Sequence, residues 1–274
     1  MITKKTDKEL AFLHDLFVAP DWGERFAELI DQHLKVPAEG KALYVSIGTG
    51  GHAIAIRERT GGKLDMTCVD EKPEFLELAQ AKATAANQEV DFRHASLESF
   101  PLEDNQYDLV IGEASLVARE RVRKMFKEMA RVAAPGARVA LTLTTSSSFG
   151  EFFSIFWEAL HNCEVVDLES KVEHLIMELP TVTDVEAMAE DVGLDEVESW
   201  TRIEEFDYES GDQFLKSPLV SEFLMEDWLA CVPDSLREKV SNEISRLINE
   251  ERHEAEFALS VKATLVVGRK ALTH

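Results

Sequence analysis

The chain has 274 residues, 45% of them hydrophobic, which is enough for one large domain or two smaller ones with a substantial core. Its 52 acidic residues against 29 basic ones give a formal net charge of −23. The average field therefore repels polyanions, which argues against nucleic acid and anionic membrane surfaces as partners. The cysteines Cys68, Cys163 and Cys231 show neither the paired spacing of a zinc site nor an even disulfide count, so we expect reduced thiols and no metal site.

The N-terminal segment predicts two helices. Apolar residues recur at helical spacing from Lys8 to Leu34, and Pro20 and Gly23 divide the run. The first residues are polar and lack the apolar stretch of a signal peptide, and no later run approaches the length of a membrane span. We therefore expect a cytoplasmic protein without membrane insertion.

Strand-like and helical segments alternate through the next hundred residues. The predicted strands cover 42–47, 64–69, 90–93, 107–111 and 137–144, with helices near 51–59, 73–86 and 119–132. Pro135 and Gly136 interrupt the chain, so the last of these strands is predicted to start at about Arg138. The alternation predicts an α/β fold with a doubly wound, mainly parallel sheet.

Beyond Thr145 the pattern becomes mostly helical. An aromatic-rich helix is predicted over Phe149–Leu160, and another over Thr183–Val192 with Gly193 as its stop. A strand over 194–203 and a long helical excursion over 212–256 follow, and the chain ends in a near-continuous β-type run from Phe257. The aromatic stripe is more typical of a core than of a pocket.

A glycine turn between a strand and a helix is the most informative feature. Gly48 and Gly50 interrupt an apolar run that resumes as a helix, which allows a tight turn and close approach of a ligand to the backbone, above all at Gly50. The second predicted strand ends in Asp70, about 20 residues further on, where ribose recognition places an acid. Together these features predict a nucleotide-binding turn.

In this order, the elements resemble the class I S-adenosylmethionine-dependent methyltransferases. Four segments carry the resemblance: Val45-Ser-Ile-Gly-Thr-Gly-Gly51 is similar to the glycine motif, Cys68-Val-Asp70 to the second strand, Ser96 to Val110 to the adenine loop and fourth strand, and Ala134 to Leu141 to the fifth strand. The resemblance covers roughly residues 38–205 and the last strand.

The resemblance implies a fold and a division of the chain. The fold is α/β, with a doubly wound, seven-stranded, mostly parallel sheet whose last strand is antiparallel, plus helical lid elements. The whole chain is expected to be one methyltransferase-like domain. Its parts would be an N-terminal helical cap over 1–38, a nucleotide-binding core over 39–205, a helical insertion over 206–256 and the last strand over 257–274.

The resemblance also implies S-adenosylmethionine as the cofactor and methyl transfer to a small-molecule acceptor as the activity. The implied cofactor-binding positions are Ser46, Gly48, Gly50, Asp70, Ser96, Leu97 and Glu113. The glycines would turn backbone N–H groups towards the ribose and the amino-acid part, and Asp70 would accept hydrogen bonds from both ribose hydroxyls. Backbone groups of Ser96 and Leu97 would meet the adenine, and Glu113 would lie near the methionine part.

Three positions depart from the family pattern. Ser46 and Ser96 stand where the family usually has acids, so each substitution is expected to weaken cofactor binding by about 1 to 2 kcal/mol without abolishing it. His52 stands where a third glycine is frequent. These departures leave open a non-catalytic descendant of the fold that serves as a binding protein.

No catalytic residue follows from the sequence. Methyl transfer needs no general base for some acceptors, and the candidate bases His94, His161 and His174 are isolated histidines of the kind that are usually structural. The N-terminal helices, the Phe149 region and the 212–256 excursion are predicted to form a lid that selects an apolar or aromatic acceptor. A nicotinamide-dinucleotide oxidoreductase remains an alternative, because the glycine turn and Asp70 also fit that fingerprint.

Overall fold

The computed structural model describes residues 5–165, 168–251 and 257–272. Within these ranges the strands are β1 (Gly40–Val45), β2 (Leu64–Asp70), β3 (Asp91–His94), β4 (Tyr107–Glu113), β5 (Ala133–Thr144), β6 (Leu194–Tyr208) and β7 (Phe257–Lys270). The α-helices are α1 (Asp7–Leu13), α2 (Glu24–His33), α3 (Gly51–Arg59), α4 (Pro73–Ala85), α5 (Arg119–Val132), α6 (Gly150–Asn162), α7 (Glu169–Glu178), α8 (Val182–Asp191), α9 (Gly211–Lys216), α10 (Met225–Trp228) and α11 (Asp234–Glu251). Segments of π-helix cover His14–Gly23 and Val220–Leu224.

The strands form one seven-stranded sheet in the order β3-β2-β1-β4-β5-β7-β6. Strand β1 pairs in parallel with both β2 and β4, β2 pairs in parallel with β3, and β4 pairs in parallel with β5. The last strand is antiparallel, which confirms the predicted fold class. Because β1 and β4 are neighbours while β2 and β3 lie on the far side of β1, the strand order reverses beside the glycine turn. This is where open α/β sheets bind ligands.

Contacts divide the chain into two compact units. The first comprises residues 1–143, 182–201 and 264–274, and the second comprises 144–181 and 202–263. The predicted division into cap, core, insertion and last strand follows different boundaries and stays a prediction. Within the described residues, no helix combines the length and the apolar character that a membrane crossing requires.

The core of the first unit lies between the sheet and its helices. It contains β-branched and aliphatic residues of the central strands, such as Val45, Val110 and Val139, packed against the amphipathic inner face of α5, including Phe126 and Met129. All five of these side chains are fully buried. Helix α5 begins and ends where its apolar periodicity predicts.

The N-terminal segment is more continuous than the sequence predicts. Instead of two helices separated at Pro20 and Gly23, α1 and α2 are joined by the π-helix His14–Gly23, which contains Pro20. A proline has no N–H to donate and its ring crowds the carbonyl four residues earlier, so a widened turn is one way to continue the helical path around it.

Strand β5 begins earlier than the sequence predicts. The predicted start at Arg138 is wrong, because β5 follows directly from α5 at Ala133. The pairing with β4 explains the difference: Tyr107 pairs with Ala133 and Leu109 with Arg138, so the intervening residues form a bulge. Gly136, at φ +80°, supplies the left-handed conformation within that bulge.

The second unit has an aromatic core, as the stripe on α6 predicts. Phe152 and Phe156 are fully buried, and the Phe152 ring stacks on Trp228 with centroids 4.1 Å apart. Phe214, on α9, packs against Phe152 at 5.8 Å. This cluster accounts for the aromatic residues of the stripe as packing groups.

We predict that Gly211→Ala destabilises the second unit by about 1–3 kcal/mol, the usual cost of overpacking. A Cβ at Gly211 would lie 2.3 Å from the carbonyl oxygen of Ser245 and 2.5 Å from its Cα, and these backbone atoms of α11 cannot rotate away. Urea unfolding measures the loss. Gly150→Ala, at the start of α6, is the matched control because a Cβ there meets nothing within 4 Å. Equal unfolding free energies for both variants would contradict the packing argument.

Candidate functional site

The glycine turn joins β1 to α3 through a run of left-handed residues. Ser46, Gly48 and Gly50 have φ values of 58°, 55° and 75°, and Gly50 N–H donates to the Ile47 carbonyl at 3.0 Å. Two of the three positions are glycines, as such a backbone path requires. Ser46 is the exception and adopts a conformation that is uncommon for residues with a side chain.

Protein groups occupy the spaces that side chains on the two glycines would fill. A Cβ at Gly48 would lie 2.6 Å from Cε1 of His14, and a Cβ at Gly50 would lie 2.8 Å from the Cβ of Ala79. Gly50 thus allows α4 to pack closely against the turn, and its role at the cofactor stays a prediction. Both glycines border the cavity described below, together with His14.

Asp70 fixes the turn from the end of β2. Its Oδ2 accepts a hydrogen bond from Gly48 N–H at 3.1 Å, and its Oδ1 accepts one from Lys72 N–H at 3.0 Å. Burial raises the pKa of this carboxyl to about 6, against the opposing effect of the two N–H donors. Because a carboxylate offers about four lone-pair positions, Asp70 keeps capacity for further donors such as ribose hydroxyls.

Glu113 occupies the corresponding end of β4. It accepts a hydrogen bond from Ser115 N–H at 2.7 Å, and the Ser115 hydroxyl accepts one from Nε1 of Trp22 at 2.7 Å. Burial raises the pKa of Glu113 to about 7, and the negative charge of Asp70 raises it further. The hydrogen bonds from Ser115 act in the opposite direction. Raised carboxyl pKa values at the ends of β2 and β4, the two strands that flank β1, are typical of functional sites.

These strand ends open into a cavity of about 470 Å³, within the range of small-molecule pockets. Its lining comprises His14, Asp15, Ala19, Pro20, Trp22, Gly23, Glu24, Ala27, Glu28, Asp31, Tyr44, residues 46–52, Ala55, Arg59, Lys82 and Glu113. Of the predicted cofactor positions, Ser46, Gly48, Gly50 and Glu113 thus meet at one cavity. Asp70 is connected to it through its hydrogen bond to Gly48.

The predicted adenine positions lie apart from this lining. Ser96 is exposed, and its Oγ accepts a hydrogen bond from Glu98 N–H at 3.3 Å, whereas Leu97 is 2% exposed and belongs to the core. Arg121 joins this loop to the end of β2, with Nε 2.7 Å from Glu98 and a guanidinium nitrogen 2.8 Å from Glu71. The roles of Ser96 and Leu97 at the adenine stay predictions.

His14 closes one side of the cavity. Its ring contacts Phe75 with centroids 5.0 Å apart, and the next residue, Asp15, forms an ion pair with Lys82 at 2.5 Å. Burial, with the charge of Lys72, lowers the pKa of His14 to about 4, so the ring is neutral near pH 7. The sequence analysis did not select this residue, because only the folded N-terminal segment brings it to the glycine turn.

A hydrogen-bonded chain in the cavity lining is a second feature that could not be found from the sequence. The Tyr44 hydroxyl lies 2.9 Å from Nδ1 of His52, and Nε2 of His52 lies 2.9 Å from Oδ1 of Asp31. Arg59 binds both oxygens of Asp31 at 2.5 and 2.6 Å. The sequence did single out His52, which stands at a position that is frequently glycine, but nothing in the sequence indicated Tyr44 and Asp31 as its partners.

The candidate bases named from the sequence lie elsewhere. His94 places Nε2 3.0 Å from the Glu71 carbonyl at the end of β3. His161 and His174 are exposed residues of α6 and α7 in the second unit, and His174 lies 2.9 Å from Glu178. Within the described ranges, no group of three or more histidine, cysteine or acidic side chains is arranged to hold a metal.

The fold and this arrangement together define a Rossmann-like nucleotide-binding domain with its site at the reversal of strand order. Residues 42–136 match the family of methyltransferase domains. This match covers the glycine turn, Asp70, the adenine loop and β4. The match supports the resemblance of this part of the chain to the class I methyltransferases, a class whose cofactor is S-adenosylmethionine.

Curated relatives agree with this classification. The chain is 29% identical over 128 residues to a ubiquinone/menaquinone biosynthesis C-methyltransferase of Geotalea daltonii, a stretch that is 45% of this chain and 53% of that protein. It is also 29% identical over 128 residues to a demethylmenaquinone methyltransferase of Staphylococcus epidermidis, covering 46% of this chain and 53% of that protein. The chain thus spans about half the length of the curated relatives it matches.

Solved structures share the fold at low identity. A putative methyltransferase from Bacillus halodurans superposes with a TM-score of 0.59 at 16% identity and covers 91% of this chain and 100% of its own. Phosphoethanolamine N-methyltransferase 2 of Haemonchus contortus, solved with S-adenosyl-L-methionine, gives a TM-score of 0.58 at 15% identity and covers 98% of this chain and 58% of its own.

Proposed function

We propose that the chain catalyses S-adenosylmethionine-dependent methyl transfer to a small-molecule acceptor. The single observation that carries this proposal is the hydrogen bond from Gly48 N–H to Asp70 beside the cavity that Glu113 borders. It ties the glycine turn to a carboxylate with unused acceptor positions, which is the arrangement that a nucleoside ribose requires.

The residues of this site fit the ribose and amino-acid parts of the cofactor. Asp70 would accept hydrogen bonds from the ribose hydroxyls. Glu113 is a buried carboxyl whose nearest described partners are neutral groups of Ser115, so a cationic group would favour its ionised form. Ser46 would offer a hydroxyl where the family usually has an acid. Ser96 and Leu97 do not line the cavity, so they would contact the adenine only if that end of the cofactor extends beyond it.

In this proposal the protein contributes alignment and exclusion of water. The cofactor supplies an electrophilic methyl group on a sulfonium, so an acceptor held in line with that group needs little further activation. The walls formed by Trp22, Ala27 and Ala55 would exclude water from an acceptor in the cavity. The aliphatic and aromatic character of these groups supports the predicted preference for an apolar or aromatic acceptor.

The nature of the curated relatives supports a small-molecule acceptor. Their names refer to ubiquinone, menaquinone and demethylmenaquinone, which are small molecules with a quinone ring. A lid formed by the N-terminal helices, the Phe149 region and the 212–256 segment stays a prediction; residues of the N-terminal segment line the cavity, and residues 252–256 lie outside the described ranges.

A non-catalytic binding protein is the second candidate function. The observations that favour it are the replacement of acids by Ser46 and Ser96 and the placement of the His14 ring against Gly48. Such a protein would use the same scaffold without turning over the cofactor. An NAD-dependent oxidoreductase is less favoured because the matched family is that of methyltransferases.

Calorimetric titration with S-adenosylmethionine, S-adenosylhomocysteine and NAD tests the proposal. We expect saturable binding of the first two ligands and none of NAD. Binding of NAD alone would replace the proposal with an oxidoreductase. Absence of binding by all three ligands would support the non-catalytic candidate and contradict the assignment of the cofactor.

A further inference from the structure

We infer that Tyr44, His52 and Asp31 form a proton relay that takes the proton of an acceptor bearing an acidic O–H group, such as a phenol or a hydroquinone. This inference rests on the proposed function and names the acceptor class for the same cavity. It assigns Tyr44 as the residue that contacts the acceptor and His52 and Asp31 as positioning residues behind it.

The geometry gives the relay a direction. Arg59 binds both oxygens of Asp31, and His52 lies between that carboxylate and the Tyr44 hydroxyl, with 2.9 Å on either side. The ion pair with Arg59 and the bond to His52 hold the pKa of Asp31 well below its usual range, so this carboxylate is ionised. It therefore accepts from Nε2–H, which leaves Nδ1 of His52 to accept the Tyr44 proton.

Both ends of the relay border the cavity, although Tyr44 is itself 3% exposed and buried. Tyr44, His52, Asp31 and Arg59 all belong to the lining of the 470 Å³ cavity, together with Glu113. Tyr44 lies on β1, two residues before Ser46, and thus beside the glycine turn that would hold the cofactor. The cavity that would hold the acceptor is therefore lined by Tyr44 and by the glycine turn at the same time.

The protonation state of Tyr44 is consistent with concerted transfer. Burial raises the pKa of Tyr44 well above its ordinary value, and the negative charges of Glu113 and Asp31 and the nearby Cys68 thiol raise it further. A free tyrosinate is therefore unavailable, and the Tyr44 proton leaves only as another proton arrives. The Asp31 carboxylate lies 2.9 Å from Nε2 of His52, on the side of the ring away from Tyr44, as in other histidine–carboxylate pairs.

The transfer balances within the named groups. The acceptor O–H bond breaks and an O–H bond forms on the Tyr44 oxygen, while the original Tyr44 O–H bond breaks and an N–H bond forms at Nδ1 of His52. The acceptor oxygen keeps the electron pair of its broken bond. The result is an oxyanion in the cavity and an imidazolium at His52 paired with Asp31, with no change in oxidation state.

A chromophoric phenol tests this inference without turnover. We propose titrating the protein, with S-adenosylhomocysteine present, into 4-nitrophenol at a pH where the free probe is mostly neutral, and following the absorbance of its phenolate. The wild-type chain is expected to bind the probe and increase the phenolate band. Tyr44→Phe and His52→Gln are each expected to reduce the increase in phenolate absorbance about tenfold, because each variant loses one charge-assisted hydrogen bond.

Controls separate the relay from a purely structural role. His33→Gln removes an exposed histidine that stacks on Trp200 outside the cavity lining, and it should leave the phenolate signal unchanged. Tyr44→Phe should retain its affinity for S-adenosylhomocysteine, because the hydroxyl is not among the proposed cofactor contacts. Three results would overturn the relay. Tyr44→Phe could form as much phenolate as wild type, wild type could bind the probe only in its neutral form, or wild type could give no saturable spectral change. If the wild-type chain does not bind S-adenosylhomocysteine, that result would instead overturn the proposed function.

Discussion

Asp70→Asn is expected to weaken binding of S-adenosylhomocysteine by about ten- to one-hundredfold. Hydrogen bonds to a charged acceptor contribute about 1.5–3 kcal/mol, and the amide offers one neutral oxygen in place of two charged ones. Its NH2 group would also face the N–H of either Gly48 or Lys72, which are the present donors to the carboxylate. Calorimetric titration of wild type and variant measures the difference.

The same carboxylate predicts a pH dependence of affinity. The pKa of Asp70 in the free protein is raised to about 6, and ribose hydroxyls donate best to the ionised form. Affinity should therefore rise as the pH increases from about 5 to about 7.5, with release of a proton on binding at the lower end. Asp65→Asn, an exposed acid on the same strand, is the matched control and should bind like wild type. Equal affinities for Asp70→Asn and Asp65→Asn would refute the ribose assignment.

Glu113→Gln is expected to stabilise the ligand-free protein at about pH 8 by up to about 3 kcal/mol. The pKa of Glu113 is raised from 4.5 in the unfolded reference to about 7 by burial. Each pKa unit corresponds to about 1.4 kcal/mol, so ionising this buried carboxyl is costly for the folded state. The glutamine removes that cost and can still accept the hydrogen bond from Ser115 N–H.

The sign of the effect follows from proton uptake. Between about pH 4.5 and 7 the folded protein binds more protons at Glu113 than the unfolded chain does, so the free energy of unfolding falls as pH rises through this window. Asp70 contributes in the same direction below about pH 6. Urea unfolding of wild type at about pH 5 and about pH 8 should show this loss, and Glu113→Gln should reduce it. Glu120→Gln, at an exposed site on α5, is the control and should show the same pH-dependent loss of stability as wild type. If Glu113→Gln also shows the full loss, the buried carboxyl is not its cause.

The periodicity of apolar residues along the chain predicted most of the strands of the sheet and the helices between them. Helices α3 and α5 begin and end where their periodicity indicates, and the order of elements led to the correct sheet class because alternating strands and helices allow few topologies. The start of β5 at Ala133 could not be predicted, because Pro135 and Gly136 indicate a break in the chain, whereas the pairing with Tyr107 accommodates them in a bulge.

The site was only partly predictable for a related reason. Gly48, Asp70 and Glu113 could be placed because each lies at the end of a strand, and parallel strands present these ends on one edge. His14 and Asp31 could not be placed, because they come from helices that precede the sheet and only tertiary packing brings them to the turn. The packing of α4 against Gly50 could not be predicted either, because a neighbouring helix and a ligand impose the same steric demand on a glycine.

A crystal structure of the chain with S-adenosylhomocysteine would show whether the nucleoside lies at the glycine turn. We expect the ribose hydroxyls within hydrogen-bonding distance of the Asp70 carboxylate and the amino-acid part over Gly48 towards Glu113. A nucleoside bound away from this turn, or crystals grown in saturating ligand that still show His14 against Gly48 and no nucleoside in the cavity, would contradict it.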